Sequence, residues 1–406
     1  MTGTPGPGGA GSAPEPGTPR PPASVACVGA GTMGAGIALA FALGGSAATM
    51  VARRQPTLDA AWRRIEESVG LLTGAGRVPS AEREAILGRI TGTTDLDGAD
   101  LSADLVVESV AEDVAAKRRL YRAIEPQLGP STVLGTCTSS LSLAELASGL
   151  ARPEQFIGYH WFNPPELVAL VEIVPAAQTA AAVIDRVEAF SIAIGKQPVR
   201  VAVDVPGFIA NRLQYALIRE AYHLVAAGVC TPADVDRVVT AGLGPRWAAI
   251  GPFLSMDLAG LDVHRAVAEQ LFPQLSAGAA VPPVLTALSG QGALGVKSGR
   301  GLLGSYDEQQ VRSVIELRAR VLLTLDGLRG LTRAAAYHAG AVPMSTSART
   351  GCAEHLLDGN HCSFGINEIF IFPNGRCATD LPPARRRPVR GRGGGRRRPA
   401  RARCRR

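Results

Sequence analysis

Short apolar runs alternate with longer amphipathic stretches through the first half of the chain. Runs with the character of buried strands cover residues 25–28, 47–51, 105–107 and 133–134. Helical periodicity fills the intervals between them, over residues 58–72, 80–90 and 115–128. Strands and helices that alternate at this spacing predict an α/β domain with a doubly wound parallel sheet.

The pattern changes after Pro206, where only helical periodicity remains. Residues 208–227, 232–241 and 258–271 are predicted to be helices, separated by Gly and Pro at 228, 242–245 and 251–252. Thr231 followed by Pro232 predicts a helix start, with Thr as the N-cap and Pro in the first helical position. The second domain is therefore predicted to be all-α.

Both ends of the chain differ from these two domains. Residues 1–23 are nearly all Gly, Pro, Ser, Thr and Ala, a composition predicted to stay disordered. We therefore divide the chain into a lead (1–23), an α/β domain (24–205), a helical domain (206–328) and a tail of low order (329–406). Loss of periodicity in the tail also fits a sequence discontinuity, such as a frame-shifted reading of its coding region.

The net charge of +7 comes from the tail. The chain has 42 Lys and Arg against 35 Asp and Glu, which alone suggests a nucleic-acid or anionic-surface partner. Residues 381–406 contain twelve of the Arg and no acidic residue, so residues 1–380 carry 30 basic against 35 acidic side chains. Residues 381–406 also lack the aromatic residues typical of single-strand binders. We do not expect nucleic acid to be the main partner.

Cysteine content and hydropathy predict a reduced, cytoplasmic location. Seven cysteines, an odd number without a CxxC pair, do not form a disulfide framework. The stretch 24–52 has no charged residue and exceeds the roughly 20 residues of a membrane span, but six glycines interrupt it. No membrane segment is expected. No metal site is expected either, because no standard zinc spacing occurs among Cys352, His355, His361, Cys362 and Cys377.

A glycine-rich turn follows the first predicted strand. Gly29-Ala-Gly31-Thr-Met-Gly34 has the GxGxxG pattern and leads into a helix that continues to Leu43. The first glycine allows a tight turn, the second lets the backbone approach a pyrophosphate, and the third permits close helix packing. This strand-to-helix context predicts a dinucleotide site whose phosphates face the helix N-terminus.

Three longer segments point to one family. The sequence GAGTMGAGIA at the turn, HWFNPPELVALVEIV at 160–174 and PGFIANRLQYALIREA at 206–221 resemble the 3-hydroxyacyl-CoA dehydrogenase family, which includes the lambda-crystallin or L-gulonate 3-dehydrogenase branch. The resemblance extends over about residues 24–325. It implies a Rossmann-type N-terminal domain, a helical C-terminal domain that forms a homodimer, and an active site between the two.

Four residues are expected to perform the chemistry. Oxidation of a secondary alcohol by hydride transfer requires a base for the hydroxyl proton, and imidazole suits this role near neutral pH. His160 stands where the family has its catalytic His, and Glu172 matches the carboxylate that orients it. Ser139 and Asn211 match the family's substrate-binding Ser and active-site amide. Cys137 replaces an Asn that is usual near this Ser.

Further residues are assigned to the cofactor and substrate by the same resemblance. The turn contributes Gly29, Gly31, Thr32, Met33 and Gly34 to the dinucleotide site. Contacts around the nicotinamide ribose and amide are expected from Glu112, Lys117, Asn163 and Lys297. Ser68 matches a Ser that touches CoA in the acyl-CoA enzymes.

One departure from the NAD pattern concerns the end of the second strand. NAD-specific sites carry an Asp or Glu about 20 residues past the turn, which binds the adenosine ribose. Ala52 occupies that position here, followed by Arg53 and Arg54. The arginines could pair with the 2′-phosphate of NADP. The resemblance implies NAD, whereas these residues favour NADP.

Three functions remain open from the sequence. We expect reversible oxidation of a short-chain 3-hydroxyacyl-CoA to the 3-ketoacyl-CoA, as in fatty acid metabolism. The segments NRLQYALI (211–218) and GLGPRWAAIGP (242–252) resemble the L-gulonate branch instead, which makes oxidation of a sugar acid the alternative. A third hypothesis, of another class, is a non-enzymatic dinucleotide-binding protein whose Arg tail binds nucleic acid.

Overall fold

A computed structural model describes residues 19–338, with side-chain surroundings through residue 328. Most of the lead, the candidate zinc ligands and the Arg-rich segment lie outside the described residues. The possible sequence discontinuity concerns this undescribed part as well, so it stays a hypothesis.

Eight strands form one sheet in the N-terminal domain. They are β1 (Ser24–Val28), β2 (Ala47–Val51), β3 (Ile90–Thr93), β4 (Leu105–Glu108), β5 (Val133–Thr136), β6 (Phe156–Trp161), β7 (Leu170–Pro175) and β8 (Gln197–Arg200). Their spatial order is β3-β2-β1-β4-β5-β6-β7-β8. Order reversal next to β1 creates the crevice in which open α/β sheets bind ligands. The predicted α/β fold class is confirmed.

Two strands of the predicted parallel sheet, β7 and β8, run opposite to the other six. β7 runs antiparallel to β6, while all other neighbouring pairs of the sheet are parallel. The cause is the connection: only residues 162–169 separate the two strands, too few for the helical crossover that a parallel pair needs. This reversal places His160 on β6 opposite Glu172 on β7.

Six helices cover the sheet. They are α1 (Thr32–Leu43), α2 (Gln55–Gly74), α3 (Arg83–Gly88), α4 (Val114–Ile124), α5 (Leu143–Ala147) and α6 (Ala181–Ala193). All residues of α1 from Gly34 to Ala42 are buried. The charge-free stretch is thus a buried β1-α1-β2 unit, and no described helix is long and apolar enough to cross a membrane.

Two predicted helices are shorter than expected. Residues 80–90 form a 3₁₀ turn at Ser80–Glu82 and the short α3, and Ile90 already belongs to β3. Helix α4 ends at Ile124, because Pro126 lacks the amide that would continue the helical bonding, and a 3₁₀ turn follows at Glu125–Gln127. Local periodicity did not reveal either boundary.

The C-terminal half contains α7 (Ala210–Ala226), α8 (Pro232–Val238), α9 (Gly244–Ile250), α10 (Pro252–Ala259), α11 (Leu261–Leu271), α12 (Pro283–Gly290) and α13 (Glu308–His338). Thr231 caps α8, as predicted. The predicted helix 258–271 is interrupted at Gly260, whose φ is +97°. A hairpin of β9 (Arg300–Gly301) and β10 (Gly304–Ser305) shows that the all-α prediction was incomplete. Helical structure also continues past residue 328.

Burial differs sharply between the two halves. The described core consists almost entirely of residues before 209, and none of the helices α7 to α12 contains a buried residue. All large apolar side chains recorded as exposed within residues 19–328 lie at or after Ile192. A single chain therefore does not enclose an apolar core in its helical half.

Candidate active site

The turn between β1 and α1 is shaped by close backbone packing. Gly29 has a φ of +110°, and a Cβ at Gly34 would lie 1.7 Å from the Gly29 carbonyl oxygen. Neither position accepts a larger residue without displacing backbone. A Cβ at Gly31, in contrast, would meet nothing within 4 Å. The backbone at Gly31 therefore faces open space, as a phosphate-binding turn requires.

Three clefts meet where α1 begins. Gly31 lines one of ≈ 410 Å³, together with Arg53 and Arg54, whose side chains are exposed. Met33 lines a larger cleft of ≈ 1120 Å³, and Thr32 lines a smaller one of ≈ 260 Å³. The residues expected to hold the dinucleotide phosphates thus lie between the cleft with the two arginines and the largest cleft of the three.

His160 and Glu172 form a buried pair on neighbouring strands. The antiparallel register places them directly opposite each other on β6 and β7. His160 Nδ1 lies 2.7 Å from Glu172 Oε2, and both side chains are nearly inaccessible to solvent. The reversal at β7 is therefore what brings together two residues that are twelve positions apart in the sequence.

Glu172 also binds the start of the helical domain. Its Oε1 accepts hydrogen bonds from the backbone amides of Ile209 (3.0 Å) and Ala210 (2.9 Å), where α7 begins. Burial alone would raise the pKa of the Glu172 carboxyl, but the hydrogen bonds from His160 and these two amides outweigh that effect and hold the pKa below its ordinary value. Glu172 is a carboxylate at neutral pH.

Two aromatic rings, which the sequence did not indicate, pack against the imidazole. The ring centroids of Phe162 and Phe208 lie 4.4 and 5.4 Å from that of His160. Phe208 is buried and has a φ of +48°, an unfavourable conformation for a residue with a side chain. Such strain persists only where the surroundings enforce it. The preceding Pro206-Gly207 was the available sequence signal for this turn.

Ser139 and Asn211 line the same ≈ 1120 Å³ cleft as His160. Asn211 lies in the first turn of α7, next to the amides that bind Glu172. Ser139 belongs to a loop held by Glu112, whose Oε1 accepts hydrogen bonds from the Thr138 hydroxyl (2.6 Å) and the Ser139 amide (2.8 Å). The structure thus brings His160, Ser139 and Asn211 to one cleft, with Glu172 buried beside His160.

Lys117 is not a surface residue of this cleft. Its side chain is completely buried, with the ammonium 2.6 Å from Glu108 Oε1 and 3.6 Å from Glu112 Oε2. The buried position of Lys117 in this chain does not support the expected direct contact with the cofactor. The fully buried Glu108 was missed, although an acid directly after the apolar run 105–107 was an available signal, since a carboxylate among apolar neighbours is costly unless it is paired.

The three remaining predicted residues have different surroundings. Asn163 lines both the His160 cleft and the ≈ 260 Å³ cleft. Ser68 lines only the smaller of these two, and its hydroxyl donates to Glu166 Oε1 at 2.8 Å. Lys297 is exposed on a 3₁₀ turn and lines none of the three clefts described above. Within this chain, therefore, Lys297 is not brought to the predicted cofactor site.

Comparison with known protein families agrees with this arrangement. Residues 24–205 match the 3-hydroxyacyl-CoA dehydrogenase NAD binding domain, and residues 207–305 match the C-terminal domain of the same enzymes. The chain belongs to the 3-hydroxyacyl-CoA dehydrogenase family. Family membership establishes an oxidoreductase with a Rossmann-type NAD-binding domain, acting on CH-OH groups.

Characterised relatives in the family have different substrates. The chain is 34% identical over 306 residues to 5-formyl-3-hydroxy-2-methylpyridine 4-carboxylate 5-dehydrogenase of Mesorhizobium japonicum, covering 74% of this chain and 96% of the relative. A crystal structure of an enzyme of that name, described as an NAD⁺ dependent dismutase, superposes with a TM-score of 0.70 at 33% identity, covering 77% and 98%. The 3-hydroxybutyryl-CoA dehydrogenase of Mycobacterium tuberculosis is 37% identical over 281 residues, covering 68% and 96%.

The dual role of Glu172 leads to a pH-dependent prediction. Glu172→Gln removes the charge that binds His160 and the start of α7, so we expect kcat to fall at least about 100-fold and Tm to decrease. Because folding lowers the pKa of Glu172, its stabilisation is complete above the unfolded value of about 4.3 and is lost as pH falls through the lower folded value. The Tm difference between the two proteins should therefore be largest above pH 5 and shrink below pH 4.

Thermal unfolding from pH 3 to 8 measures this difference. Glu316→Gln, which neutralises an exposed acid on α13, is the matched control and should leave both kcat and the pH dependence unchanged. A Tm difference for Glu172→Gln that is independent of pH would contradict the assignment.

Proposed function

We propose that the protein oxidises the 3-hydroxy group of a short-chain 3-hydroxyacyl-CoA to the 3-ketoacyl-CoA, reversibly and with NAD as hydride acceptor. One observation carries the proposal: the buried His160–Glu172 pair opens, with Ser139 and Asn211, into a cleft that reaches the start of α1. Relatives named as 3-hydroxybutyryl-CoA dehydrogenases support the thioester substrate.

In the proposed mechanism, His160 acts as the base. Glu172 accepts a hydrogen bond from Nδ1, which leaves Nε2 with a free lone pair for the substrate hydroxyl proton. As the hydroxyl proton moves to Nε2, a hydride leaves the carbon that bears this hydroxyl, and the alcohol becomes a ketone. The Glu172 carboxylate stabilises the resulting imidazolium. Asn211 and Ser139 hold the substrate oxygens in place.

The glycine turn fits the dinucleotide. The tight Gly29–Gly34 contact and the open space at Gly31 form a cradle for a pyrophosphate at the N-terminus of α1. NAD, when bound, accepts the hydride on its nicotinamide ring. Glu112 and Asn163 are the residues we assign to its ribose and amide.

A free hydroxy acid is the second candidate substrate. Among the described residues that line the His160 cleft, Arg212 and Arg219 are the charged side chains, and no carboxylate is present. Such a cleft favours an anionic substrate. In addition, Ser68 is hydrogen-bonded to Glu166 outside this cleft, which weakens its assignment to CoA. Oxidation of a sugar acid such as L-gulonate is the corresponding activity.

We further propose that the protein is a homodimer in the cytoplasm. Helices without buried residues and with many exposed apolar side chains gain stability when a second copy covers them. The location rests on the cysteine content, and the described Cys27, Cys137 and Cys230 are free thiols.

Activity assays with a CoA ester and with a free acid distinguish the two candidate substrates. We expect acetoacetyl-CoA to be reduced with NADH at a higher kcat/KM than that for L-gulonate oxidation with NAD. His160→Gln should lower kcat by roughly 10²- to 10⁴-fold, because the base is lost while the cleft remains. No turnover of the CoA ester, together with oxidation of the free acid, would establish the second candidate instead.

The two arginines after β2 generate a prediction about the cofactor. Arg53 and Arg54 are exposed and line the ≈ 410 Å³ cleft, while Ala52 leaves the usual acidic position neutral. We therefore expect NADP to be used as well as NAD. The double variant Arg53→Ala/Arg54→Ala should raise KM for NADP about tenfold or more and KM for NAD less than threefold. Equal effects on both cofactors would exclude a 2′-phosphate contact.

The dimer is tested by sedimentation equilibrium. We expect twice the chain mass of 42.1 kDa for the wild type. Phe253→Asp/Leu258→Asp places charges on α10, where the two side chains are 80% and 68% exposed, and should produce monomers. Val203→Asp is a control of similar exposure (67%) outside the helices and should leave the dimer intact. A monomeric wild type would refute the proposal.

A further inference from the structure

We propose that Glu108 is a positioning residue of the active site: it anchors Lys117, which fixes Glu112 and thereby the Ser139 loop of the substrate cleft. This inference rests on the proposed function, because it concerns the same cleft. It assigns a role to a residue that lies beneath the cleft and touches neither substrate nor cofactor.

Glu108 is completely buried and fully hydrogen-bonded. Its Oε1 accepts from the Lys117 ammonium (2.6 Å) and the Val110 amide (2.7 Å). Its Oε2 accepts from the hydroxyls of Tyr121 (2.7 Å) and Thr136 (2.8 Å). These groups come from the end of β4, from α4 and from the end of β5, so the carboxylate joins three elements at the carboxyl edge of the sheet.

Lys117 carries the connection toward the cleft. With no solvent access, its ammonium has two carboxylate neighbours: Glu108 at 2.6 Å and Glu112 Oε2 at 3.6 Å. Charges in such a dry environment interact much more strongly than at the surface. Glu108 sets the position of the ammonium, and the ammonium attracts Glu112 from behind.

Glu112 passes this constraint to the loop. Its other oxygen, Oε1, accepts the Thr138 hydroxyl (2.6 Å) and the amides of Ser139 (2.8 Å) and Ser140 (3.1 Å). Ser139 and Ser140 both line the His160 cleft. One carboxylate therefore holds Lys117 on one side and the substrate loop on the other, and fixing Glu112 fixes the loop.

The buried charges have no evident value for stability alone. Replacing a complete buried ion pair by apolar residues of similar volume is often neutral or stabilising. Burial would raise the pKa of Glu112, but its bonds to Thr138 and the loop amides, with the charge of Lys117, hold the pKa below the ordinary value. Other titratable groups facing this cluster are Tyr121 and Cys137, both with pKa values raised chiefly by burial.

Glu108→Gln is the first test, since the amide keeps the size and an acceptor for Lys117 but loses the charge. A charge-assisted bond is roughly twice as strong as a neutral one, so the anchor weakens. We expect KM for the hydroxy substrate to rise about fivefold or more, with kcat changed less than threefold. The control is Thr132→Val, which removes one buried bond to the Ala103 carbonyl at the other end of β5 and should leave KM unchanged.

Loop order has a readout that does not need turnover. Cys137 precedes the loop, is partly buried, and has its thiol pKa raised by burial to about 11. Alkylation by N-ethylmaleimide, followed peptide by peptide with mass spectrometry, should be faster at Cys137 in Glu108→Gln than in wild type or Thr132→Val. If the wild type turns over none of the substrates tested, the proposed function fails, and the labelling rate still decides the positioning role.

If Glu108→Gln does not fold, a second variant takes its place. A mutant cycle with Glu112→Gln then tests whether Lys117 acts through Glu112. Glu108→Gln/Lys117→Met removes both charges, should fold, and should raise KM about tenfold. If Lys117 acts through Glu112, adding these changes to Glu112→Gln should raise KM no further than Glu112→Gln alone. The proposal would be overturned if a folded Glu108 variant had the KM and the Cys137 labelling rate of the wild type. It would also be overturned if the KM effects of the Glu108, Lys117 and Glu112 changes multiplied when the changes are combined.

Discussion

The rest of the site depends on the hydrogen bonds that the two carboxylate oxygens of Glu172 make on opposite sides. One carboxylate oxygen binds the His160 imidazole and the other binds the first amides of α7. The same group thus orients the His160 imidazole and sets the position of the helix that carries Asn211. A buried carboxylate is tolerated there because every bond it accepts comes from a fixed donor. Loss of its charge would disturb both domains' contributions to the cleft together.

Glu108, at the end of β4, is a second buried carboxylate of this kind. Glu108 ends the apolar strand β4, and Glu172 interrupts the apolar strand β7. Both carboxylates accept hydrogen bonds from donors on neighbouring elements. Glu172 holds the His160 imidazole, whereas we propose that Glu108 holds the Ser139 loop through Lys117 and Glu112. Preorganisation of this kind keeps reacting groups within the narrow geometry that hydride and proton transfer demand.

The two halves of the chain differ in how much apolar surface they bury. The helices of the C-terminal half form in a single chain through local bonding and caps such as Thr231, yet none of α7 to α12 buries a side chain completely. Apolar surface of this extent is costly in water. The first domain, by contrast, has a continuous core on both faces of the sheet. The site lies where these two halves of the chain meet.

The sequence by itself determined the α/β class and the glycine turn, because short-range periodicity and motif spacing are local properties. Resemblance to known enzymes supplied the roles of His160 and Glu172. Only the tertiary structure decided that β7 is antiparallel, that Lys117 is buried behind Glu112, and that Phe208 packs on the imidazole. These facts depend on register, burial and contacts between distant segments, which a pattern along the chain does not encode. The substrate depends on the same long-range contacts, so neither periodicity nor motif spacing determined it.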